Sequence, residues 1–394
     1  MRNHSRYSKK IPLQDEIFEL HDEFISDRRK HKVNCAIGIY LDEKGMSYIH
    51  PSVKIASRQL TLSNFNYLPI QGDPDFLTLS QELVLGKSLS RIYATRLAQQ
   101  GVMGGTNGLF VWGNYIKKLH KKPSIIIGMP TWENHTKIFS YLGFRIITYK
   151  HLMNNNAFHL EALTDLIVKH PNSYVLLQAG STHNPTGINP SNQQWKELGK
   201  IIQKTKSSAL FDFAYLGMGT TIAEDCFSVR HFLSLEIPMA VVLSYSKNMT
   251  LYQHRTGVLF ILNKTAKKKA ETENLLKYLF RVTNSNPSAY GEHIVKTILS
   301  KKDLKNKWEK DLYSAIASLH MRRKLFTDYA GQQYQYVIQG KGLFSILDLQ
   351  ETSVYKLKHE KGIYLLSNGR INFGGLSVQN IPIVADAIHK IGMD

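Results

Sequence analysis

The sequence predicts an α/β protein: a large domain with a mostly parallel seven-stranded sheet covered by helices, plus a smaller α+β domain made from both chain ends. Three observations carry this. Seven apolar runs of strand length recur between Ile92 and Leu262. Helical patterns of ten or more residues fill most of the gaps, and that alternation favours a parallel sheet covered on both faces. Beyond Lys264 the alternation stops and a mixed pattern takes over. The expected boundaries are an N-terminal arm with part of the small domain over 1–47, the large domain over 48–312, and the rest of the small domain over 313–394.

Taken in order, Leu13, Ile17, Phe18, Leu20 and Phe24 recur at helical spacing over residues 11–28, and residues 33–40 read as a strand or extended segment. Gly38 within it lets the backbone approach another group closely. A loop punctuated by Pro69 and Gly72 carries Tyr67, which the residues alone leave unassigned, and precedes an amphipathic helix over 75–85. The seven strand-like runs are 92–97, 124–128, 144–149, 174–178, 209–213, 241–245 and 258–262. Helices are expected over 108–119, 132–142, 160–170, 191–206 and 222–235, with Ser191 and Gln194 forming a capping box. Later come helices over 265–282 and 290–299 flanking Ser285-Asn286-Pro287, and a long amphipathic helix over 304–329. Strands near 334–338 and 343–347, a helix near 353–359, the segment 362–373 and a closing helix over 381–391 complete the chain.

With 394 residues and 43% hydrophobic content, the chain can bury a sizeable core. Cys35 and Cys226 make neither a disulfide framework nor a zinc cluster, so free thiols, no metal and a cytoplasmic location are expected. No apolar run approaches the length of a membrane span, and the basic start lacks the apolar stretch of a signal peptide. The net charge of +19 comes from 50 basic and 31 acidic residues. These charges are dispersed and accompany no nucleic-acid motif, so a solvated basic surface is the plainer reading.

In parallel sheets the ligand lies at the carboxyl ends of the strands, so chemistry belongs in the loops leaving them. The loop Gly101-Val102-Met103-Gly104-Gly105-Thr106-Asn107-Gly108 opens a helix, and reads either as a structural turn or as an anion site at a helix N-terminus. Trp132 reads either as a core residue at a helix start or as a stacking platform for a planar ring. His183-Asn184-Pro185-Thr186-Gly187 follows the next strand. Asp212, ending an apolar strand before Phe213-Ala214-Tyr215, needs a cation such as a protonated ring nitrogen. Ser244-Tyr245-Ser246-Lys247-Asn248, with Arg255 eight positions past the lysine, would hold an aldehyde cofactor bearing a phosphate. The amine would form a Schiff base, and hydroxyl and guanidinium would take the phosphate. Taken alone the stretch is weak evidence, and the plainer reading of Lys247 is a lysine on a surface loop.

Collected, these loops resemble the fold-type I pyridoxal-phosphate aminotransferases, and most closely the aspartate aminotransferase family. The resemblance runs from Pro12 to Ile391, on Asn66-Tyr-Leu-Pro-Ile, Gly104-Gly-Thr, Pro130-Thr-Trp-Glu-Asn-His135, His183-Asn-Pro-Thr-Gly187, Asp212-Phe-Ala-Tyr215, Ser244-Tyr-Ser-Lys-Asn248, Ser285-Asn-Pro and Gly369-Arg-Ile-Asn372. It implies the fold of those transferases and pyridoxal 5'-phosphate as cofactor. Lys247 then matches the Schiff-base lysine and proton carrier, and Asp212 the partner of the pyridine nitrogen. Asn184 and Tyr215 match the partners of the ring oxygen, and Trp132 the stacking ring. Gly104, Gly105, Thr106, Ser244 and Arg255 match the phosphate cradle. Arg370 matches the clamp on the substrate α-carboxylate, assisted by backbone near Gly38, with Trp132 and Asn184 also lining the substrate. Tyr67 and Arg281 match residues supplied by a neighbouring subunit, so a homodimer is implied. Arg281 would meet a side-chain carboxylate, which points to aspartate, glutamate, oxaloacetate and 2-oxoglutarate. Phe213, Leu216, Met249-Thr250 and His254 depart from the family pattern without removing a catalytic group.

The leading reading is an aspartate:2-oxoglutarate aminotransferase working by ping-pong half-reactions. A broad or aromatic-amino-acid aminotransferase is the alternative within the same chemistry. A non-catalytic binding or regulatory protein on this fold, engaging nucleic acid through its basic surface, is the reading from another class.

Overall fold

Runs such as Ile125-Ile126-Ile127 carry apolar side chains at consecutive positions, which suits strands covered on both faces. The computed structural model describes residues 15–60, 66–178 and 182–392. Its strands are β1 (Val33–Asn34), β2 (Leu97–Val102), β3 (Ser124–Met129), β4 (Arg145–Lys150), β5 (Tyr174–Gln178), β6 (Ser208–Phe213), β7 (Met239–Ser244), β8 (Gly257–Leu262), β9 (Phe344–Ile346), β10 (Ile363–Tyr364) and β11 (Arg370–Asn372). The large sheet has seven strands in the order β2-β8-β7-β6-β5-β3-β4. Its neighbours are parallel except that β8 runs antiparallel to both β2 and β7. The carboxyl ends of the other strands therefore share one edge, and β8 begins there, with Gly257 opposite both Val102 and Ser244.

Alternate residues of each strand feed two cores. Ile126, Val175, Phe211 and Val241 pack on one face with Trp195, Phe232 and Trp308. Ile125, Leu176, Leu210 and Ala240 pack on the other with Trp112 and Phe139. Both chain ends meet beyond the sheet: β1 pairs in parallel with β10, and β11 pairs antiparallel with β9. Helix Lys302–Ala330 ties this part to the sheet, because buried Trp308 donates its Nε1–H to Asn248 O at 2.8 Å, one residue past Lys247. Among the described residues, no helix is long and apolar enough to cross a membrane. Cys35 and Cys226 are free and buried, and burial pushes each thiol up to about 12.

The fold class is as expected, while several elements differ. The run 92–97 is not a strand: Lys87–Tyr93 is helical, and the strand begins at Leu97. Gln99 and Gln100 disguise it, since Gln100 is buried and spends its amide on Ile70 O and Gly101 O. Only Val33–Asn34 of the segment 33–40 pairs, because the Asn34 side chain takes the N–H groups of Ala36 and Ile37 and bends the chain. Residues 334–338 lie in a 3₁₀ helix, Gln332–Gln339, where Tyr334 and Val337 bury one side at a spacing of three. The helix expected over 222–235 breaks into Ile222–Asp225 and Phe227–Ser234, as Asp225 turns its carboxylate onto the N–H of Gly217. Helix Pro51–Gln59 was not anticipated. The opening helix is Glu16–Ser26 with Asp15 as its cap, and its expected start over 11–14 lies outside the described residues. The capping box of Ser191 and Gln194 is present.

Candidate active site

β2 ends at Val102 and helix Gly104–Leu119 starts almost at once, aimed at the shared edge. Met103 at the N-cap position makes no side-chain cap bond, so first-turn N–H groups of Gly104, Gly105 and Thr106 are left for an anion. Gly104 has φ +76°, and a Cβ there would fall 2.7 Å from Arg255 Nη2. The guanidinium thus lies against the helix start because that residue is glycine. Arg255 itself has φ +50° and donates to Tyr252 O at 3.0 Å, Ser246 Oγ at 3.4 Å and Met103 O at 3.4 Å. A Cβ on Gly105 would lie 3.7 Å from Ser244 Cβ and 3.9 Å from Asp212 Oδ1, so the helix start faces the ends of β7 and β6. Ser244 Oγ donates to Ser246 Oγ at 3.1 Å.

Asp212 is 6% exposed. Its Oδ2 lies 2.9 Å from His135 Nε2, and His135 Nδ1 lies 2.8 Å from Thr131 Oγ1. Its Oδ1 is buried with no partner among the described residues. A carboxylate oxygen left so costs on the order of 1–3 kcal/mol unless a donor arrives. Trp132 precedes helix Glu133–Tyr141 and stands edge-to-face on His135, with centroids 5.2 Å apart.

Lys247 follows β7. Its Nζ lies 5.0 Å from the centre of the Tyr215 ring and makes no side-chain hydrogen bond among the described residues. Burial lowers its pKa to about 8, the Asp212 charge opposes that shift, and Arg255 and Arg370 add to it. Burial pushes the Tyr215 hydroxyl well above its usual range. Arg370, opening β11, is buried and donates to Ala36 O at 2.5 Å and Asn184 Oδ1 at 3.4 Å. Burial lowers its pKa to about 10, against the raising influence of Tyr215 and more distant acids. Its guanidinium sits 4.4 Å over the Phe344 ring. A Cβ on Gly38 would come 3.1 Å from Phe344 Cζ, so the 36–39 backbone lies close over the same ring.

Lys247, Asp212, Tyr215, Asn184, Arg370, Arg255, Ser244 and the 104–106 turn therefore converge at one edge, with Trp132 and Gly38 beside them. Tyr67 and Arg281 do not join this group through any bond among the described residues. Tyr67 is 88% exposed. Arg281 is exposed and donates to Ser285 Oγ at 2.7 Å and Asn286 Oδ1 at 3.0 Å, while Asn286 Nδ2 donates to Leu68 O. The two form one surface patch through Asn286.

His135, Thr131, Gln178 and Phe344 also shape the site and were not among the expected residues. Gln178 was findable by the rule that found Asp212, a polar residue closing an apolar strand; it donates to Thr131 Oγ1 and Asn184 O and accepts the Asn184 N–H. Thr131 and His135, four apart, share a helix-start face. Nothing local marks Phe344. The departures Phe213, Leu216 and Met249 are core residues, and His254 packs on Tyr290.

A group with a protonated aromatic nitrogen, a phosphate and an amine-reactive carbon fits these residues. Asp212 Oδ1 lacks a donor, the uncapped helix start and Arg255 form an anion cradle, and the Lys247 amine is unpaired. The model of the aminotransferase class I and II family matches residues 30–388. The aspartate aminotransferase of Haemophilus influenzae is 32% identical over 385 residues, 96% of this chain and 97% of its own length. The aromatic-amino-acid aminotransferase from Burkholderia pseudomallei, covalently bound to pyridoxal phosphate, superposes with a TM-score of 0.93 at 29% identity, covering 99% of this chain and 100% of that one. The mitochondrial aspartate aminotransferase from Trypanosoma brucei gives 0.90 at 28% identity, over 95% and 99%. Family match, fold and converging loops agree: the chain belongs to the class I and II aminotransferases.

Proposed function

We propose that the protein is a pyridoxal-phosphate-dependent aspartate aminotransferase, moving the amino group reversibly from L-aspartate to 2-oxoglutarate to give oxaloacetate and L-glutamate by ping-pong half-reactions. The observation that carries this is the Lys247 amine, unpaired and shifted to about 8, beside a carboxylate with one idle oxygen. Bound pyridoxal phosphate supplies an electron-withdrawing ring that delocalises the electron pair left when the substrate α-proton departs. Asp212 Oδ1 holds the proton on the ring nitrogen. Asn184 and Tyr215 orient the ring oxygen, Trp132 stacks on the ring, and Ser244, Arg255 and the 104–106 turn hold the phosphate. Lys247 Nζ is the base that takes the substrate α-proton, for which a pKa near working pH is apt. Arg370 binds the α-carboxylate through terminal nitrogens that its own chain only partly uses, with the Gly38 backbone over it.

The Tyr67 and Arg281 patch supports a homodimer in which each subunit lends these residues to its neighbour's site, Tyr67 to the phosphate and Arg281 to the side-chain carboxylate. A cytoplasmic location suits free buried thiols. The decisive experiment is a coupled assay of the cofactor-saturated protein for conversion of aspartate to oxaloacetate; no oxaloacetate sinks the proposal. The similarity to the Burkholderia aromatic-amino-acid enzyme favours a second reading, broader specificity. Turnover of phenylalanine and tyrosine at rates matching aspartate would select it.

A further inference from the structure

The large sheet has a second edge, opposite the candidate site. There β3, β5, β6 and β7 begin, and β8 ends because it runs antiparallel to β7. A pocket of about 150 Å³ opens at this edge, between the strand ends and helix Gly104–Leu119. Trp112, Tyr115 and Tyr174 line it together with Leu119, Pro238 and Leu262. Leu119 is 44% exposed while Trp112 and Tyr115 are buried, so the pocket has an open lip and an apolar back. A cavity of roughly this size with apolar walls admits a benzene-sized group.

Lysines scattered along the chain meet around this pocket. Lys264 comes two residues after Leu262, and Lys206 two residues before Ser208, which also lines the pocket. Lys121 and Lys122 follow His120, whose ring centre lies 6.2 Å from that of Tyr174. All four lysines are exposed and form no ion pair among the described residues. Glu236, two residues before Pro238, is already taken by Arg96. Lysines in the last turn of a helix answer its dipole, as Lys117 and Lys118 do in helix Gly104–Leu119. Lys267 and Lys268 do the reverse, standing in the first turn of helix Ala266–Thr283, which holds no acid. Helix stability therefore does not explain them.

Neighbouring strands lie about 4.8 Å apart, so the arc from Lys121 before β3 to Lys264 after β8, four strand spacings, is about 19 Å long. A single small anion does not span it, whereas an extended segment of about six residues does. A nucleic-acid strand would look for open aromatic faces on which to stack its bases. Trp112 and Tyr115, at 2% and 5% exposure, offer none, so the pocket suits an inserted side chain.

We propose that this edge docks an acidic peptide segment of a partner protein, its carboxylates along the lysine arc and one benzene-sized apolar side chain in the pocket.

The test is fluorescence anisotropy with the full-length, cofactor-saturated protein. The probe is a labelled heptapeptide with phenylalanine at its centre and glutamate elsewhere, set against the same peptide with central serine and against a labelled thymidine octanucleotide. The phenylalanine peptide should bind about tenfold more tightly than the serine peptide. Lys122→Glu combined with Lys264→Glu should weaken both peptides about tenfold or more. Ser208→Leu places a larger side chain in the pocket and removes no side-chain hydrogen bond among the described residues. It should bring the phenylalanine peptide down to the level of the serine peptide. Leu119→Ser, on the exposed lip, should reduce the same difference and stands in if the melting curve shows that Ser208→Leu does not fold. Equal binding of the two peptides overturns the proposal, as does a phenylalanine advantage that survives in the folded pocket variants, or peptide binding untouched by the double charge reversal. An octanucleotide that binds more tightly than the phenylalanine peptide and displaces it overturns it as well, in favour of a nucleic-acid surface.

Discussion

Arg323 and Arg370 are both almost wholly buried, at 1% and 3% exposure, yet their terminal nitrogens are used in opposite ways. Arg323, in the long helix, donates to Val337 O, Lys341 O, Gly342 O, Phe344 O and Ser345 Oγ, at 2.6 to 3.4 Å. Among the described residues, Arg370 has only Ala36 O and a 3.4 Å contact with Asn184. Each leaves Nε unpaired, so the contrast lies in the planar fork. The same contrast separates the two regions. Around the long helix, the terminal nitrogens of Arg323 are filled by main-chain carbonyls and a hydroxyl, and the side chain holds the fold. At the carboxyl edge of the sheet, Lys247 Nζ, Asp212 Oδ1 and the fork of Arg370 are positioned by the chain but not satisfied by it. Positioned, unsatisfied polar groups are what an enzyme keeps for its ligand.

The strongest way to break this contrast is at Lys247. Lys247→Ala should cut turnover of aspartate by about 10⁴-fold or more. Thermal stability should hold or rise, since a half-buried amine with no partner among the described residues is removed. A coupled assay and a melting curve read the two effects, and near-normal turnover would remove Lys247 from the chemistry.

Next, the two arginines should exchange phenotypes. Arg370→Lys loses the fork and should lower kcat/KM by about 10²- to 10³-fold with little change in melting temperature. Arg323→Met leaves carbonyls of the 337–344 segment unpaired and should cost about 1–3 kcal/mol in denaturant unfolding. Folded Arg323→Met should keep most of its turnover. A stability loss in Arg370→Lys that matches Arg323→Met would erase the distinction.

How far the sequence reveals this depends on distance along the chain. Asp212 lies at the end of an apolar strand and Lys247 just past the next one, so their common edge follows from the strand rule. Gly104 and Arg255 are legible as chemistry, but their contact depends on β8 running antiparallel, which no local pattern encodes. Arg323 looks like an ordinary helix-surface cation, because the carbonyls it meets, one from a 3₁₀ helix that reads as a strand and three from residues 341–344, are brought to it only by the fold. Gln100 hides β2 for a related reason: a buried amide looks polar in sequence when its partners, Ile70 O and Gly101 O, are unknown.

Glu292 tests whether an unfilled valence alone marks a functional region. It is 2% exposed in helix Ala289–Ser300, accepts the Asp73 N–H at 2.7 Å on Oε2, and leaves Oε1 unpaired. Burial raises its pKa from 4.5 to about 8; the Asp73 N–H opposes this and the Asp73 charge adds to it. A raised carboxyl pKa contributes stability that is complete below the unfolded value and is lost as pH climbs through the folded one. Stability should therefore decline between pH 4.5 and about 8 on this account. Glu292→Gln retains an acceptor for Asp73 and should flatten that decline, gaining on the order of 2 kcal/mol at pH 9. Urea unfolding at pH 5 and pH 9 measures it. Unchanged turnover at pH 7 would show that an unpaired oxygen outside the strand edge concerns stability alone.

The finest test is the sign of the influences on Lys247. Only the neutral amine can attach covalently to a carbonyl, so pyridoxal phosphate should join the cofactor-free protein about tenfold faster per pH unit up to the amine's pKa, then level off. The turning point should fall near 8. Burial is the largest cause and stays constant between surface-neutral variants, whereas the Asp212 charge raises the pKa and the Arg370 charge lowers it. Asp212→Asn should thus move the turning point down, and Arg370→Met should move it up. Shifts in these opposite directions place both side chains in the field of the amine without any assay of transamination. A turning point near the ordinary lysine value of 10.5 would mean that the amine is solvated, and the strand edge would lose its claim to hold polar groups unsatisfied.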